Sequence, residues 1–312
     1  MDLMMYHRPE ARKRMDGKRM KPRIIVPLVS AATVGALAVG GVAFLRSASP
    51  DDKMSTSAAG QPFALSGRSA SDDNPAHWHL PIEAYMPTEK QKQLIAGARD
   101  RVIDACMKEA GHEEWTPAPD LPALGGKSLV DWRYGIHDAA LAAERGYKPA
   151  AGEQEAYDRA VEDGAVDSSG GDETALKGCV QKADGPAPAD QQSNLVQQIS
   201  GDSFEASAKD PAVVAAFAKW SACMAKKGYA YKKPMDANDD DRFADPYHVS
   251  GEEKETAKAD ISCRGQAHVQ QTWFDAEVAL QESAIKKHRK ALNEVKKANG
   301  AAVAKASAVV GR

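Results

Sequence analysis

The sequence predicts an all-α protein in which two disulfide bonds clasp a helical domain with a long C-terminal helix, and one transmembrane helix precedes that domain. Three observations predict this fold class. Residues 24–45 carry no charge, apolar side chains recur at helical spacing in the later segments, and all four cysteines follow residue 45. Strand signals are sparse even in the middle of the chain, from about 117 to 190.

Residues 24–45 predict the transmembrane helix. Their 22 positions include only Ser30 and Thr33 as polar side chains. A helix of that length, rising about 1.5 Å per residue, crosses roughly 30 Å of hydrocarbon. Residues 1–23 carry eight Lys or Arg against three Asp or Glu, so the positive-inside rule predicts a basic cytoplasmic tail and an extracytoplasmic C-terminal domain.

A secretory signal is the alternative interpretation of this N-terminus. A basic region followed by an apolar run also begins a signal peptide, and the residues Gly41-Val42-Ala43 offer a small-x-small cleavage site. The apolar run is longer than a signal core of about 7 to 15 residues, so we favour an uncleaved anchor. Under the alternative, the mature protein is secreted.

The charge balance argues against nucleic acid as a partner. The chain has 41 basic and 44 acidic residues. Without the basic tail, the remainder carries a net charge of about −8, and a nucleic-acid binding domain is normally basic.

Beyond the anchor, the composition divides the chain into three parts. Residues 46–75 are rich in Ser, Ala, Gly, Asp and Pro and predict a flexible linker. Residues 76–300 predict the helical domain, and residues 301–312 predict a frayed tail. Two related modules, about 76–190 and 205–298, are predicted within the domain.

The two modules are predicted from a repeated motif. Cys106 and Cys223 each lie in an Ala-Cys-Met sequence near the end of a predicted helix. Each is followed by a glycine five residues later and a proline eleven residues later. A glycine at that place is typical of a helix C-terminus.

Capping signals predict where the helices begin. Thr88 with Gln91 fits a capping box, as does Ser250 with Glu253, and Asp210 precedes a proline in a first helical turn. The last helical pattern runs from about 252 to 298 and is mildly interrupted at Gly265. The side chains that recur every seven residues along this helix are about half polar, which would make an isolated coiled coil weak. We therefore expect the helix to pack on its own domain.

Four cysteines in an extracytoplasmic chain predict two disulfide bonds, and three pairings are possible. We prefer Cys106 with Cys179 and Cys223 with Cys263. Each pair then joins an Ala-Cys-Met helix to a later helix that is introduced by the sequence Glu-Thr-Ala. A metal site would need closely spaced cysteines, and the sequence has no Cys-x-x-Cys.

The aromatic residues that follow the two helix-ending glycines predict a binding surface, formed by Trp115, Tyr229 and Tyr231. We predict no catalytic residue, no metal ligand and no cofactor. "GGKS" at 125–128 lacks the first glycine of a phosphate loop. The acidic segment 236–247 lacks the glycine and the final glutamate of a calcium loop.

Three segments carry a resemblance to known proteins: "RYGIHDAALAAERGYKP" at 133–149, "KWSACMAKKGYAYKKP" at 219–234 and "AKADISCRGQAHVQQTWFDAEVALQ" at 257–281. They resemble a group of uncharacterised secreted, lipoprotein-like or membrane-anchored proteins of actinobacteria, over most of residues 80–292. The resemblance implies an extracytoplasmic, helical cell-envelope protein and supplies no activity. Unlike the lipoprotein-like members, this chain has no lipid-accepting cysteine.

Together these observations predict a membrane-anchored, extracytoplasmic cell-envelope protein with a binding or structural role and without catalysis. An envelope component or a membrane protein is the expected partner. One alternative is an accessory subunit of an envelope export complex. The other is an envelope hydrolase whose carboxylates meet only in the folded chain. The sequence does not predict an oligomeric state.

Overall fold

A computed structural model describes residues 73–165, 172–189 and 193–311, and these ranges contain helices, turns and irregular segments without a strand. The all-helical fold and the long C-terminal helix are therefore confirmed. The α-helices are α1 (Glu89–Glu109), α2 (Ala139–Arg145), α3 (Glu153–Ala160), α4 (Glu173–Ala183), α5 (Asn194–Ser207), α6 (Pro211–Lys226), α7 (Pro234–Asn238), α8 (Gly251–Ala267) and α9 (Val269–Val310).

Shorter turns of helix accompany them. Three are 3₁₀ helices, and a π-helical turn follows α3. They lie at Pro75–His77, Pro81–Tyr85, Asp241–Phe243 and Val161–Ala165.

The predicted tail 1–23, the transmembrane segment 24–45 and nearly all of the linker 46–75 lie outside the described residues. Within the described ranges, no helix combines the length and the apolar character that crossing a membrane requires.

Local signals set the helix ends. The Thr88 hydroxyl accepts a hydrogen bond from the Gln91 backbone N–H, and the Gln91 side chain accepts one from Thr88 in return. The Asp210 carboxylate caps α6 through the Ala212 N–H at 2.8 Å. These two predicted starts are confirmed, because each depends on hydrogen bonds between residues at most three positions apart.

The main hydrophobic core is built around α5, α6, α8 and the first half of α9. The chain at 78–82 and the segment 129–148, which we call the inserted segment, pack into the same core. Aromatic rings fill much of it; Trp78 meets Phe274 with ring centroids 4.9 Å apart, and Phe217 meets Trp273 at 5.0 Å. The core thus draws on both predicted modules.

A smaller pair of clusters lies along α1. Ile103 and Met107 pack against Cys179 of α4, and Ile95 and Ala98 pack near Ala306 at the end of α9. The first module therefore contributes one helix pair of its own and the inserted segment of the main core. The relation between the two modules by duplication stays a prediction.

The disulfide bonds join Cys106 to Cys179 and Cys223 to Cys263, with Cα–Cα distances of 5.5 and 5.6 Å. This is the pairing that the sequence predicts. Because they close loops of 73 and 40 residues, each bond stabilises the fold by about 4 kcal/mol in the chain-entropy model. One bond holds the α1–α4 pair, and the other ties α6 to α8 in the main core.

The C-terminal helices differ from the sequence prediction in two ways. The predicted helix from 252 to 298 is broken into α8 and α9 at His268, whose φ of +51° is left-handed, and not at Gly265. The helix then continues to Val310 and includes residues 301–310 of the tail that the sequence predicts to fray. Contact of Ala306 and its apolar neighbours with α1 keeps this end helical.

Among the described residues, three carboxylates are at most 1% exposed: Glu253 and Asp260 on α8, and Glu277 on α9. Glu277 pairs with Arg133 through Nη2 at 2.7 Å and Nε at 2.9 Å. Its oxygens also accept hydrogen bonds from the Tyr134 hydroxyl and the Gln281 amide. This carboxylate is fully satisfied, as burial of a charge requires.

Asp260 is satisfied in the same manner. Its Oδ1 accepts from Arg264 Nε at 2.7 Å and from the Trp220 indole at 2.8 Å, and its Oδ2 accepts from the Tyr147 hydroxyl. The Arg264 guanidinium also donates to the carbonyl of Tyr134 at 2.5 Å. The inserted segment thus supplies donors and acceptors to the charges of α8.

Glu253 explains why the predicted second capping box is only half formed. Ser250 accepts from the Glu253 backbone N–H at 3.0 Å, but the Glu253 side chain turns into the core. There it accepts from the Tyr147 N–H at 3.0 Å and pairs with Lys148 at 3.3 Å.

Two glycines of the inserted segment make these contacts possible. Gly135 has a φ of +94°, and a Cβ at that position would lie 2.1 Å from Arg264 Nη1. Gly146 has a φ of +62°, and its Cβ would meet the Glu253 side chain. Both positions therefore need a residue without a side chain.

We predict that Gly135→Ala destabilises the domain by at least about 3 kcal/mol, since it adds backbone strain and displaces a buried ion pair. Gly265→Ala is the matched control, because that glycine is helical and has open space around it. It is expected to be neutral or to stabilise by up to about 1 kcal/mol. Urea unfolding followed by circular dichroism measures the free energy of unfolding of both variants. Equal changes in the two variants would contradict the close contact between Gly135 and Arg264.

Candidate binding surface

The turn that follows α6 positions the two predicted tyrosines. Gly228 has a φ of +92°, and the N–H groups of Gly228 and Tyr229 donate to the carbonyls of Ala225 and Met224, each at 3.0 Å. These bonds form a Schellman motif, which ends the helix and turns the chain away from its axis.

Helix α1 ends in the same motif. Gly111 has a φ of +92°, and the N–H groups of Gly111 and His112 donate to Lys108 and Met107, each at 3.0 Å. The two Ala-Cys-Met helices therefore end alike, with the methionine carbonyl as an acceptor in both.

Tyr229 and Tyr231 lie two residues apart on an irregular stretch of chain, and their rings stack with centroids 6.4 Å apart and planes inclined by 16°. Both rings pack partly against the main core and stay half-buried. Each is therefore held in place and still reaches solvent.

Tyr231 is fixed by three polar contacts. Its hydroxyl donates to Asp240 at 2.7 Å and accepts from Arg242 at 2.9 Å, while Ser221 donates to its carbonyl at 2.7 Å. Burial, and then the hydrogen bond to Asp240, raises the pKa of Tyr231 to about 12. The ring therefore stays neutral at physiological pH.

Four exposed lysines flank the tyrosine pair: Lys226 and Lys227 before it, Lys232 and Lys233 after it. None of them forms an ion pair with another residue of the described ranges. We call residues 226–233 the tyrosine–lysine surface. Fixed rings beside unpaired cations offer an apolar contact and a positive field in one place.

Trp115, the third predicted residue of this surface, lies elsewhere in the packing. Its ring is half-buried against the cluster around the Cys106–Cys179 disulfide, whereas the tyrosines pack on the main core. The structure thus brings together two of the three aromatic residues.

The remaining sequence motifs are occupied by internal contacts. In the segment 236–247, Asp240 binds Arg242 and Tyr231. In "GGKS", the Gly125 N–H donates to Glu153, and the Lys127 side chain pairs with the same carboxylate. Among the described residues, no group of three or more His, Cys, Asp or Glu side chains is arranged to hold a metal ion.

Sequence patterns do not reveal the residues that hold Tyr231, namely Ser221, Asp240 and Arg242. They lie nine to eleven positions away from it along the chain, beyond the reach of helical spacing rules. The acidic segment 236–247 was visible in the sequence, but comparison with a calcium loop gave no indication that Asp240 pairs with Arg242.

The chain matches no protein-family model, no curated protein and no solved structure.

We predict that Asp240→Asn lowers the stability by about 1 kcal/mol at pH 7, a modest effect because Arg242 is half exposed. The hydrogen bond from Arg242 lowers the pKa of Asp240, so the ionised carboxylate stabilises the fold above about pH 4 and loses that effect as the pH falls through the lowered pKa. The difference between variant and wild type should therefore stay constant from pH 7 to about pH 5 and shrink as the pH falls below about 4.

Asp239→Asn is the control, because within the described ranges the Asp239 carboxylate accepts a hydrogen bond only from the adjacent Asn238 side chain. Urea unfolding at several pH values measures both variants. A difference for Asp240→Asn that is constant with pH would contradict the role of the charge.

Proposed function

We propose that this chain is a membrane-anchored, extracytoplasmic envelope protein with a binding role, and that its tyrosine–lysine surface binds an acidic glycan. The proposed anchor is residues 24–45, with the N-terminus in the cytoplasm. Export followed by retention of the anchor is the route we favour over cleavage and secretion.

The disulfides support the compartment. All four cysteines of the chain are paired, and such bonds form and persist outside the reducing cytoplasm. A cytoplasmic domain of this kind would lose about 4 kcal/mol for each bond, a large part of a typical stability of 5–15 kcal/mol.

The observation that carries the binding role is the stacked Tyr229–Tyr231 pair between two pairs of unpaired lysines. A sugar ring presents C–H groups on its faces, which pack against an aromatic ring, and a uronate or a phosphate on the same polymer pairs with a lysine. Because Asp240 and Arg242 hold Tyr231 before any ligand arrives, little side-chain entropy is lost on binding.

Lys226→Glu combined with Lys232→Glu tests this proposal. We expect the full chain in detergent to bind a soluble glucuronic-acid polymer at low salt, and we expect the double variant to lose at least about tenfold in affinity, which corresponds to about 1.4 kcal/mol. Tyr229→Ala should weaken binding as well, while a neutral glucan should not bind. Isothermal titration calorimetry measures the affinities.

The matched control is Lys90→Glu combined with Lys177→Glu, which changes the net charge equally at exposed positions of α1 and α4. Binding that falls equally in both double variants would show a general charge effect and contradict the assigned surface. An affinity that is unchanged in Tyr229→Ala would contradict the role of the tyrosine rings.

A further inference from the structure

The second half of α9 concentrates positive charge. Between Lys286 and Lys305 the chain carries seven Lys or Arg and one acid, Glu294, although the whole chain has an acidic excess. A helix distortion at His288, with a φ of −104° and a ψ of 17°, begins this part of the helix.

Arg289, Lys290, Lys296 and Lys297 lie on one side of the helix. Positions three, four, seven and eight residues apart share a helical face, and this spacing relates Arg289, Lys290, Asn293, Lys296 and Lys297. All five are exposed. We call them the basic face; it runs for about 12 Å along the helix axis.

The opposite side of the helix is used for packing. Leu292 is fully buried in the main core, and Ala302 and Ala306 pack near α1. The helix is therefore held against the domain, and the basic face cannot turn inward.

The surroundings of the basic face differ from those of the tyrosine–lysine surface. It has no aromatic side chain, and the next exposed positions along the same side are the small residues Gly300, Ala304 and Ser307. No ion pair within the described residues neutralises Arg289, Lys290 or Lys297. Like charges one turn apart repel each other, so the arrangement favours an extended anionic surface as its counterpart.

We propose that the basic face docks on the phosphate headgroups of anionic lipids in the membrane that the chain crosses. This inference rests on the proposed function, which supplies the membrane anchor at residues 24–45. The 27 residues 46–72 join the predicted anchor to the first described residue. A linker with the composition of residues 46–72 is predicted to span about 30 Å on average, and such a tether would hold the basic face near the headgroups at high effective concentration.

The test uses the full chain in lipid nanodiscs, with a fluorescent non-canonical amino acid at Ala301 as donor and a headgroup-labelled lipid as acceptor. A cysteine label is avoided because an added free thiol would exchange with the two disulfide bonds. We expect at least about twofold higher energy transfer in nanodiscs with about 30% phosphatidylglycerol than in phosphatidylcholine alone, and loss of the difference at about 500 mM NaCl.

The triple variant Arg289→Glu, Lys290→Glu, Lys297→Glu should lose the dependence on phosphatidylglycerol. Lys90→Glu, Lys177→Glu, Lys219→Glu, with the same change in net charge on α1, α4 and α6, should keep it. Circular dichroism checks that both variants stay folded. Equal transfer in the two lipid compositions, or a triple variant that behaves like wild type, would overturn the inference.

Failure of the anchor is distinguishable from failure of the basic face. A chain that does not enter nanodiscs contradicts the proposed anchor. In that case, the wild-type chain and the triple variant are sedimented with phosphatidylglycerol vesicles, and loss of binding in the variant supports lipid docking by the basic face. A triple variant that loses binding to the glucuronic-acid polymer but keeps its response to anionic lipid would show that this face binds glycan, and would overturn docking on lipid.

Discussion

The burial of three carboxylates, Glu253, Asp260 and Glu277, is the constraint on which the rest of this fold depends. A buried charge is tolerated only when it is paired and hydrogen-bonded, and removing one partner of such a pair costs about 3–5 kcal/mol. Arg133 and Lys148, which pair with Glu277 and Glu253, both lie in the inserted segment 129–148. The path of that segment through the core is therefore fixed by charge.

The constraint also links elements that are far apart in the chain. Burial and the nearby charge of Glu277 raise the pKa of Tyr134 well above its usual 10.0, so its phenol stays a donor to that carboxylate. The Tyr134 carbonyl accepts from Arg264 on α8. One residue thus connects α8 with α9, while the Cys223–Cys263 bond ties α8 to α6.

Features that depend on neighbouring residues could be predicted from the sequence. The caps at Thr88 and Asp210 and the helix ends at Gly111 and Gly228 are local hydrogen-bond patterns. The pairing of the cysteines followed from a repeated motif. The inserted segment was visible only as short helical stretches, because its carboxylate partners on α8 and α9 lie more than a hundred positions away, as Glu277 does from Arg133.

Charges at inward positions of a helix were the signal that could have shown these contacts. Asp260 and Arg264 are four residues apart on α8, on the side of the helix that also buries Ala257, Cys263 and Ala267. The break at His268 had no such signal, since Gly265 nearby is the residue that usually ends a helix. Of the candidate site, the two tyrosines were predicted from the sequence, whereas the role of the flanking lysines and the polar groups that hold Tyr231 were not.

A fixed core and two disulfides keep two cationic surfaces in defined places, the tyrosine–lysine surface after α6 and the basic face of α9. The first combines rings with lysines, and the second presents charge alone. The proposed function assigns an acidic glycan to the tyrosine–lysine surface. The further inference assigns anionic lipid headgroups to the basic face. Both assignments require that the domain be exported and oxidised.

Mapping of the cystines is the most direct test of this account. Free thiols are blocked by an alkylating reagent in intact cells that make the chain, and the purified protein is then digested without reduction and analysed by mass spectrometry. We predict fully oxidised protein with peptides linked through Cys106–Cys179 and Cys223–Cys263. Four alkylated thiols, or a peptide that links Cys106 to Cys223, would contradict it.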